Sequence, residues 1–428
     1  MISVTKLLLD QVAAGDAIRY GENVPEKHGM PGSTPPEAPV SAEARRPVVV
    51  WNLTRSCNLR CVHCYTDSEG KRYDGELSTE QAKGVIDDLA DFGVPALLLS
   101  GGEPLTRHDF WELVPYARDR GLRLTLSTNG TLIDEETARK LKDHGFTYVG
   151  ISFDGIGEVN DRFRGKEGAF DAAVRGLRNC IAVGQRVGLR MTLTRNNYED
   201  LDNIFDFIEA EGIGRVCFYH LVYSGRGGGL QESDLTHAET RDALDKIAAR
   251  TLDMHQRGKP IEVLTVDNHI DGVYFYQRAL ESDPALAERI EKRLRWNGGG
   301  RNSSGVGIGD IDFLGNVHAD QFSMNYSFGN VKERKFSDIW TDLSDERLYA
   351  LRNQEGRIEG KCSVCKWYGL CGGGMRVRAE RVYGTPWRPD PACYLSAEEC
   401  GISPEQEREL REAGAWVDPP EYLTQGRA

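Results

Sequence analysis

Two hydrophobic periodicities alternate along the chain from residue 47 onward. Short apolar runs, PVVVWNLT (47–54), ALLLS (96–100), LRLTLS (122–127), YVGISF (148–153), VGLRMTLT (187–194) and RVCFYHLV (215–222), have the length and pattern of buried strands. Between them, apolar residues recur at helical spacing in TEQAKGVIDDLADFG, with a Thr cap and a closing Gly, and around 109–120, 134–145, 168–184 and 199–212. This βα alternation predicts an α/β fold on a parallel sheet, either doubly wound or a barrel.

The unusual polar motifs all follow the C-terminal ends of strands, where barrel sites assemble. The first loop also carries cysteines instead of a Gly-rich dinucleotide turn. Both features predict a partial (β/α)6 TIM-like barrel. After helical stretches at 237–257 and 278–295 the chain becomes Gly- and Asn-rich, and GIGDIDFLGNVHADQF reads as a hairpin turning at Leu314-Gly315-Asn316. The expected organisation is an N-terminal helix and Pro-rich linker (1–46), the barrel (47–260), a connecting helical segment (261–300), a small C-terminal metal-stapled domain (301–400) and a tail (401–428).

Composition narrows the class. The 428 residues carry a net charge of −13, which disfavours nucleic-acid and anionic-membrane partners. No apolar segment is long enough to span a bilayer, so a cytoplasmic location is expected. There the 10 cysteines stay reduced, which points to metal ligation rather than disulfides.

Three of these thiols, Cys57, Cys61 and Cys64, crowd into NLTRSCNLRCVHCYTD just past the first strand. A structural zinc knuckle with His63 as fourth ligand is the bland alternative, but such sites favour two separated pairs. Three thiolates suit an iron–sulfur cluster with one iron left open. In LLLSGGEPL, Gly101 and Gly102 allow close backbone approach and Glu103 is suited to accept from an ammonium. Ser127 and Asn129 (LSTNG), then Ser152 and Asp154 (ISFDG), face the same mouth, and Arg164 is either a carboxylate partner or a surface ion pair.

The C-x3-C-x-Φ-C spacing, with His63 at the Φ position, resembles the signature of the radical S-adenosylmethionine (SAM) superfamily. The resemblance implies a [4Fe–4S] cluster on Cys57, Cys61 and Cys64 whose open iron chelates SAM. It makes Gly101-Gly102-Glu103-Pro104 the SAM-amine motif, Ser127 and Asn129 ribose contacts, and Arg164 a partner for the SAM carboxylate. Farther on, Cys362-x2-Cys365-x5-Cys371 and the later Cys393 suit a fully ligated second cluster. They resemble the abbreviated auxiliary-cluster domain of SPASM/twitch-type members and imply a second [4Fe–4S] centre; structural zinc is the alternative. Cys400 competes with Cys393 as a ligand, whereas Cys180 and Cys217 read as small buried hydrophobes.

Stretches such as SVTKLLLDQVAAGDAIRYG, CFYHLVYSGRG, EVLTVDNHIDG and DPACYLS resemble one branch nearly end to end: the tetrapyrrole-modifying enzymes of alternative haem and haem d1 biosynthesis. This implies an iron tetrapyrrole substrate, 12,18-didecarboxysiroheme, losing two acetate side chains to give iron-coproporphyrin III. Loss of two propionates, as in haem d1 biosynthesis, is the neighbouring reaction. A reduced flavodoxin or ferredoxin would supply electrons. A peptide-modifying maturase and an iron–sulfur electron carrier are the other readings; the short, Pro-rich N-terminus argues against the first, and the four strand-end motifs against the second. Candidate anchors for substrate carboxylates are Arg190, Arg226 and Arg301. Candidate ligands for its iron are His220, His269 and His318. Tyr274 and Phe275 either flank a macrocycle or fill the core.

Overall fold

The computed structural model describes residues 1–10, 46–296, 299–301 and 303–425. Most of the 1–46 linker expected from the sequence lies outside the described residues. The strands, in chain order, are β1 (Ile2–Ser3), β2 (Val48–Asn52), β3 (Leu97–Ser100), β4 (Leu124–Thr128), β5 (Tyr148–Ser152), β6 (Val187–Leu193), β7 (Arg215–His220), β8 (Glu262–Val266), β9 (Ile308–Ile311), β10 (Asn316–His318) and β11 (Gly329–Asn330).

Strands β2 to β8 pair in sequence order, each parallel to the next. Their residues are mostly buried, as expected where helices cover the sheet. All six runs picked out by pattern are strands. The segment 261–300, expected to be a helical connection, opens instead with β8. Its EVLTV run is buried at every position, a strand whose short apolar pattern is masked by the helical patterns on either side. Among the described residues the sheet runs β1-β8-β7-β6-β5-β4-β3-β2-β9-β10-β11 and stays open, with β9 parallel to β2. The hairpin therefore extends the barrel sheet.

Local chemistry sets the ends of the elements. The helix Thr79–Phe92 is capped by Ser78 rather than Thr79, through a capping box with Gln81, and stops at Gly93, whose φ is 78°. It buries Ala82, Val85, Ile86 and Leu89, the last three contributing about 1.5–3 kcal/mol each if fully buried. The hairpin turn lies earlier than expected, at Asp312–Gly315, because the Asp312 carboxylate accepts from the Leu314 and Asn316 N–H groups.

The C-terminal region is tied to the strand ends. Arg378 and Asp390 form an ion pair with both side chains 0% exposed, and Arg378 also donates to the carbonyls of Leu221 and Asp267, just beyond β7 and β8. Among the described residues no helix is long and apolar enough to cross a membrane.

Candidate functional site

At the C-terminal end of the parallel strands lies a cavity of about 1080 Å³ that includes space open to solvent. Cys57, Cys61 and Cys64 line it together with Gly101, Gly102, Ser127, Asn129, Ser152, Asp154 and Arg164. The cysteine loop is laced to the β3 loop by backbone bonds, Gly102 N–H to Thr54 O and Glu103 N–H to Ser56 O. A Cβ on Gly102 would stand 2.2 Å from Ser56 O, so the approach requires glycine.

Burial pushes the Cys57 thiol up to about 12, and the Cys61 thiol also rises. A cationic iron centre would offset that cost by favouring the thiolates, so the donor set fits an iron–sulfur cluster. Among the described residues no group of three or more His, Cys, Asp or Glu is arranged to hold a metal ion.

Several site residues do something other than expected. Glu103 is fully buried and does not line the cavity. Its oxygens accept from Thr128 Oγ1 at 2.8 and 2.9 Å, Asn129 N–H at 2.8 Å and Leu105 N–H at 3.2 Å. The acceptor expected for an ammonium is therefore occupied in bracing the β4 loop. Burial lifts this carboxyl to about 7, against the pull of those bonds. Pro104, itself buried, opens a 3-10 turn and also stands off the cavity. Asn129 spends its amide on Asn58 and on the Thr131 N–H and hydroxyl.

Arg164 is buried and pairs with Asp154 at 2.5 Å, its other guanidinium nitrogen lying 3.7 Å from Cys61 Sγ; it is not a surface ion pair. His63 turns its Nε2 toward Asp154 at 3.3 Å and its ring edge toward Phe163. Burial lowers its proton affinity despite the nearby carboxylate.

The substrate-anchor candidates separate. Arg226 is committed to the cysteine loop, donating to Cys61 O (2.8 Å), Asp67 Oδ1 (2.7 Å) and Ser68 O (3.0 Å). Arg301 is exposed and lies over Tyr368, outside the cavity. Arg190 lines the cavity, its guanidinium 4.8 Å from the Tyr219 ring centre. His318 uses both ring nitrogens, on Tyr326 O and Asp312. His269 Nε2 contacts the N-terminal amine and its side chain does not line the cavity. His220 lines the cavity with Nε2 held 2.8 Å from Asp271. Tyr274 and Phe275 are buried in the core.

Sequence reasoning missed other wall residues. Tyr65, directly after the last cysteine of the motif, bonds Asn52 Oδ1 and Ser100 Oγ at 2.9 Å. Gln321 and Phe322 come from beyond the hairpin, and Phe322 meets Tyr65 edge to face. Asp267, at φ 66° after β8, also faces in, and its carboxyl is raised to about 6 by burial. Only Tyr65 carried a signal, its place beside Cys64.

A second cavity is lined by Cys362, Cys365, Cys371, Cys393 and Cys400. Cys180 and Cys217 are buried away from both cavities.

Comparison with known proteins agrees with this geometry. The family model described as the radical SAM superfamily matches residues 51–208. The chain is 52% identical over 404 residues to Fe-coproporphyrin III synthase of Methanosarcina barkeri, covering 94% of this chain and 99% of that protein. It is 43% identical over 377 residues to pre-heme d1 synthase of Dinoroseobacter shibae, covering 88% and 92%. Similar solved structures are Streptococcus suis SuiB bound to precursor peptide SuiA (TM-score 0.65, 19% identity, 82% of this chain and 77% of that one) and anSMEcpe with bound AdoMet and Cp18Cys peptide (0.63, 18%, 87% and 99%). At that identity they speak to the fold alone.

Proposed function

Because the chain belongs to the radical SAM superfamily, we propose that it removes the two acetate side chains of 12,18-didecarboxysiroheme to give iron-coproporphyrin III. The observation that carries this is the 52% identity to Fe-coproporphyrin III synthase across 99% of that protein's length.

When bound, SAM and the [4Fe–4S] cluster on Cys57, Cys61 and Cys64 supply a 5′-deoxyadenosyl radical. The chain's own residues bind, orient and shield. Gly101 and Gly102 bring backbone close to the cofactor, while Ser127 and Ser152 offer hydroxyls from neighbouring strand ends. Glu103 acts as a positioning residue, holding the Thr128–Asn129 turn against the cysteine loop. The Asp154–Arg164 pair sets a fixed charge beside Cys61.

On the substrate side, Arg190 is the cavity's candidate grip for a tetrapyrrole carboxylate. His220 is the candidate iron ligand, because a ligating imidazole usually directs its other nitrogen at a carboxylate, as His220 does at Asp271. Phe322 and Tyr65 add aromatic surface to the same cavity wall. Cys362, Cys365, Cys371 and Cys393 would hold an auxiliary [4Fe–4S] cluster in the second cavity. A reduced flavodoxin or ferredoxin in the cytoplasm would supply electrons. The functional units would be the barrel, carried beyond 47–260 by β8 and by the β9–β11 strands, and a cluster region built around Cys362 to Cys400.

The test is mass spectrometry of an anaerobic reaction of reconstituted protein, SAM, reductant and 12,18-didecarboxysiroheme. Loss of both acetates is expected. Loss of propionates instead would assign the reaction of the pre-heme d1 synthase relative. An intact tetrapyrrole alongside 5′-deoxyadenosine would overturn the substrate.

A further inference from the structure

Strand β8 ends at Val266, and the next residue, Asp267, enters the left-handed region at φ 66° although it is not a glycine. A non-glycine residue keeps that conformation only where its surroundings over-determine it. Here they do. Arg378, fully buried in its pair with Asp390, donates to the Asp267 carbonyl at 2.7 Å. On the other side the buried Asn268 accepts from the Ile270 N–H at 3.1 Å and donates to Ala392 O at 3.2 Å. The backbone is thus pinned around Asp267, and its side chain is set on the wall of the main cavity. There its Oδ2 is buried and has no hydrogen-bond partner among the described residues. Buried polar atoms are ordinarily bonded, so this one is open to a ligand.

The nearest candidate partner on the wall does not answer it. Arg190 lines the same cavity, packs against Tyr219 and forms no ion pair among the described residues. The strand register gives the reason. Arg190 pairs with Cys217 and Cys217 with Leu264, so Asp267 lies two strands away and three residues farther along. That offset is about 10 Å toward the cavity mouth by strand rise. The wall therefore offers a guanidinium at one depth and a carboxyl at another.

We propose that Asp267 is a specificity-determining residue that binds one carboxylate side chain of the tetrapyrrole through a shared proton, while Arg190 binds another. This rests on the tetrapyrrole reading above. The ring nitrogens of that ligand are taken by iron, so its edge presents carboxylates, which accept. A carboxyl meets a carboxylate only by holding a proton between them, taken from water on binding, and such O–H···O⁻ bonds are short and strong. Burial raises the Asp267 carboxyl to about 6, against the N-terminal amine, Arg378 and Arg190 and together with Asp320. A second carboxylate at Oδ2 would favour the proton further.

The experiment titrates the full, cluster-reconstituted chain with 12,18-didecarboxysiroheme and with iron octaethylporphyrin, which carries no carboxyl group, following absorption of the bound ring. Wild type is compared with Asp267→Gly, which removes the carboxyl without straining the backbone, and with Asp267→Asn, which tolerates positive φ and keeps a donor. In Asp267→Gly the affinity for 12,18-didecarboxysiroheme should fall roughly tenfold while that for iron octaethylporphyrin holds. Asp267→Asn should recover most of the loss. An unchanged affinity in Asp267→Gly, an equal loss for both rings, or an Asp267→Asn as weak as Asp267→Gly would each overturn the role of Asp267. A wild-type chain that binds neither ring would instead sink the tetrapyrrole reading, and this proposal with it.

Discussion

His220 Nε2 stands 2.8 Å from Asp271 Oδ2 at the wall of the main cavity, and Tyr394 Oη bonds the other carboxylate oxygen at 2.8 Å. Tyr394 follows Cys393 directly, so one buried carboxylate bridges the two cavities. Burial opposes charge on His220, but Asp271 outweighs it and holds the imidazole's proton affinity above the usual range.

That sign gives a first prediction. Iron ligation needs the neutral imidazole, so binding of the iron tetrapyrrole should tighten as pH rises through the elevated His220 titration. In Asp271→Asn burial is no longer outweighed by that carboxylate, and the binding edge should move to lower pH, read from the absorption of the bound tetrapyrrole. Stability runs oppositely: the pair's contribution is full below pH 6.5, the ordinary histidine value, and fades as pH rises through the folded-state value. A binding edge that stays put in Asp271→Asn would remove His220 from the substrate's coordination.

Glu103 yields the second. Glutamine at this position offers one acceptor oxygen where the carboxylate offers two, leaving a buried donor among Thr128, Asn129 and Leu105 unmet at a cost of about 1–3 kcal/mol. Glu103→Gln should weaken SAM binding by roughly tenfold, since about 1.4 kcal/mol is a factor of ten, as calorimetry can measure. Because the carboxyl is lifted from 4.5 to about 7, its contribution to stability is greatest below pH 4.5 and declines as pH rises to 7. The melting-temperature gap between wild type and Glu103→Gln should narrow over that window. A gap independent of pH would mean Glu103 does not titrate there.

The sequence carried the parallel strands and the cluster loop because both are local patterns: an apolar run announces a buried strand, and three cysteines in eight residues announce a ligand set. What it hid depends on pairing across distance. Arg226 sits 165 positions from the Cys61 carbonyl it holds, so nothing near it distinguished a loop clamp from a substrate anchor. Phe322 reaches the cavity because β9 adds to the edge of β2, a register that no local periodicity encodes. Cys400 was visible as a thiol, but only the fold brings it into the cavity that Cys365 and Cys393 line.

Arg226 supports a third prediction. Its three donors meet two carbonyls and Asp67, a non-glycine residue at φ 51° inside the cluster loop. Lysine cannot reproduce that planar fork. Arg226→Lys should lower iron retention during gel filtration and slow 5′-deoxyadenosine formation in proportion, leaving activity per bound cluster near wild type. A variant with full iron and a raised KM for the tetrapyrrole would return Arg226 to the role of substrate anchor.

The Arg378–Asp390 pair makes the last. Removing one partner strands a charge that is fully buried between the strand ends and the C-terminal region. Such breaks cost about 3–5 kcal/mol, because the remaining ion keeps its desolvation penalty without its partner. Arg378→Met also abandons the Leu221 and Asp267 carbonyls, so it should melt well below wild type under anaerobic conditions. Replacing both charges, as Arg378→Met with Asp390→Leu, should recover part of that loss, although the Met375 N–H then loses its acceptor on Asp390. The arginine reaches the carbonyl of cavity-lining Asp267, so the paired variant should still show altered tetrapyrrole affinity. If either single variant melts with wild type, the pair does not fasten the C-terminal region to the barrel.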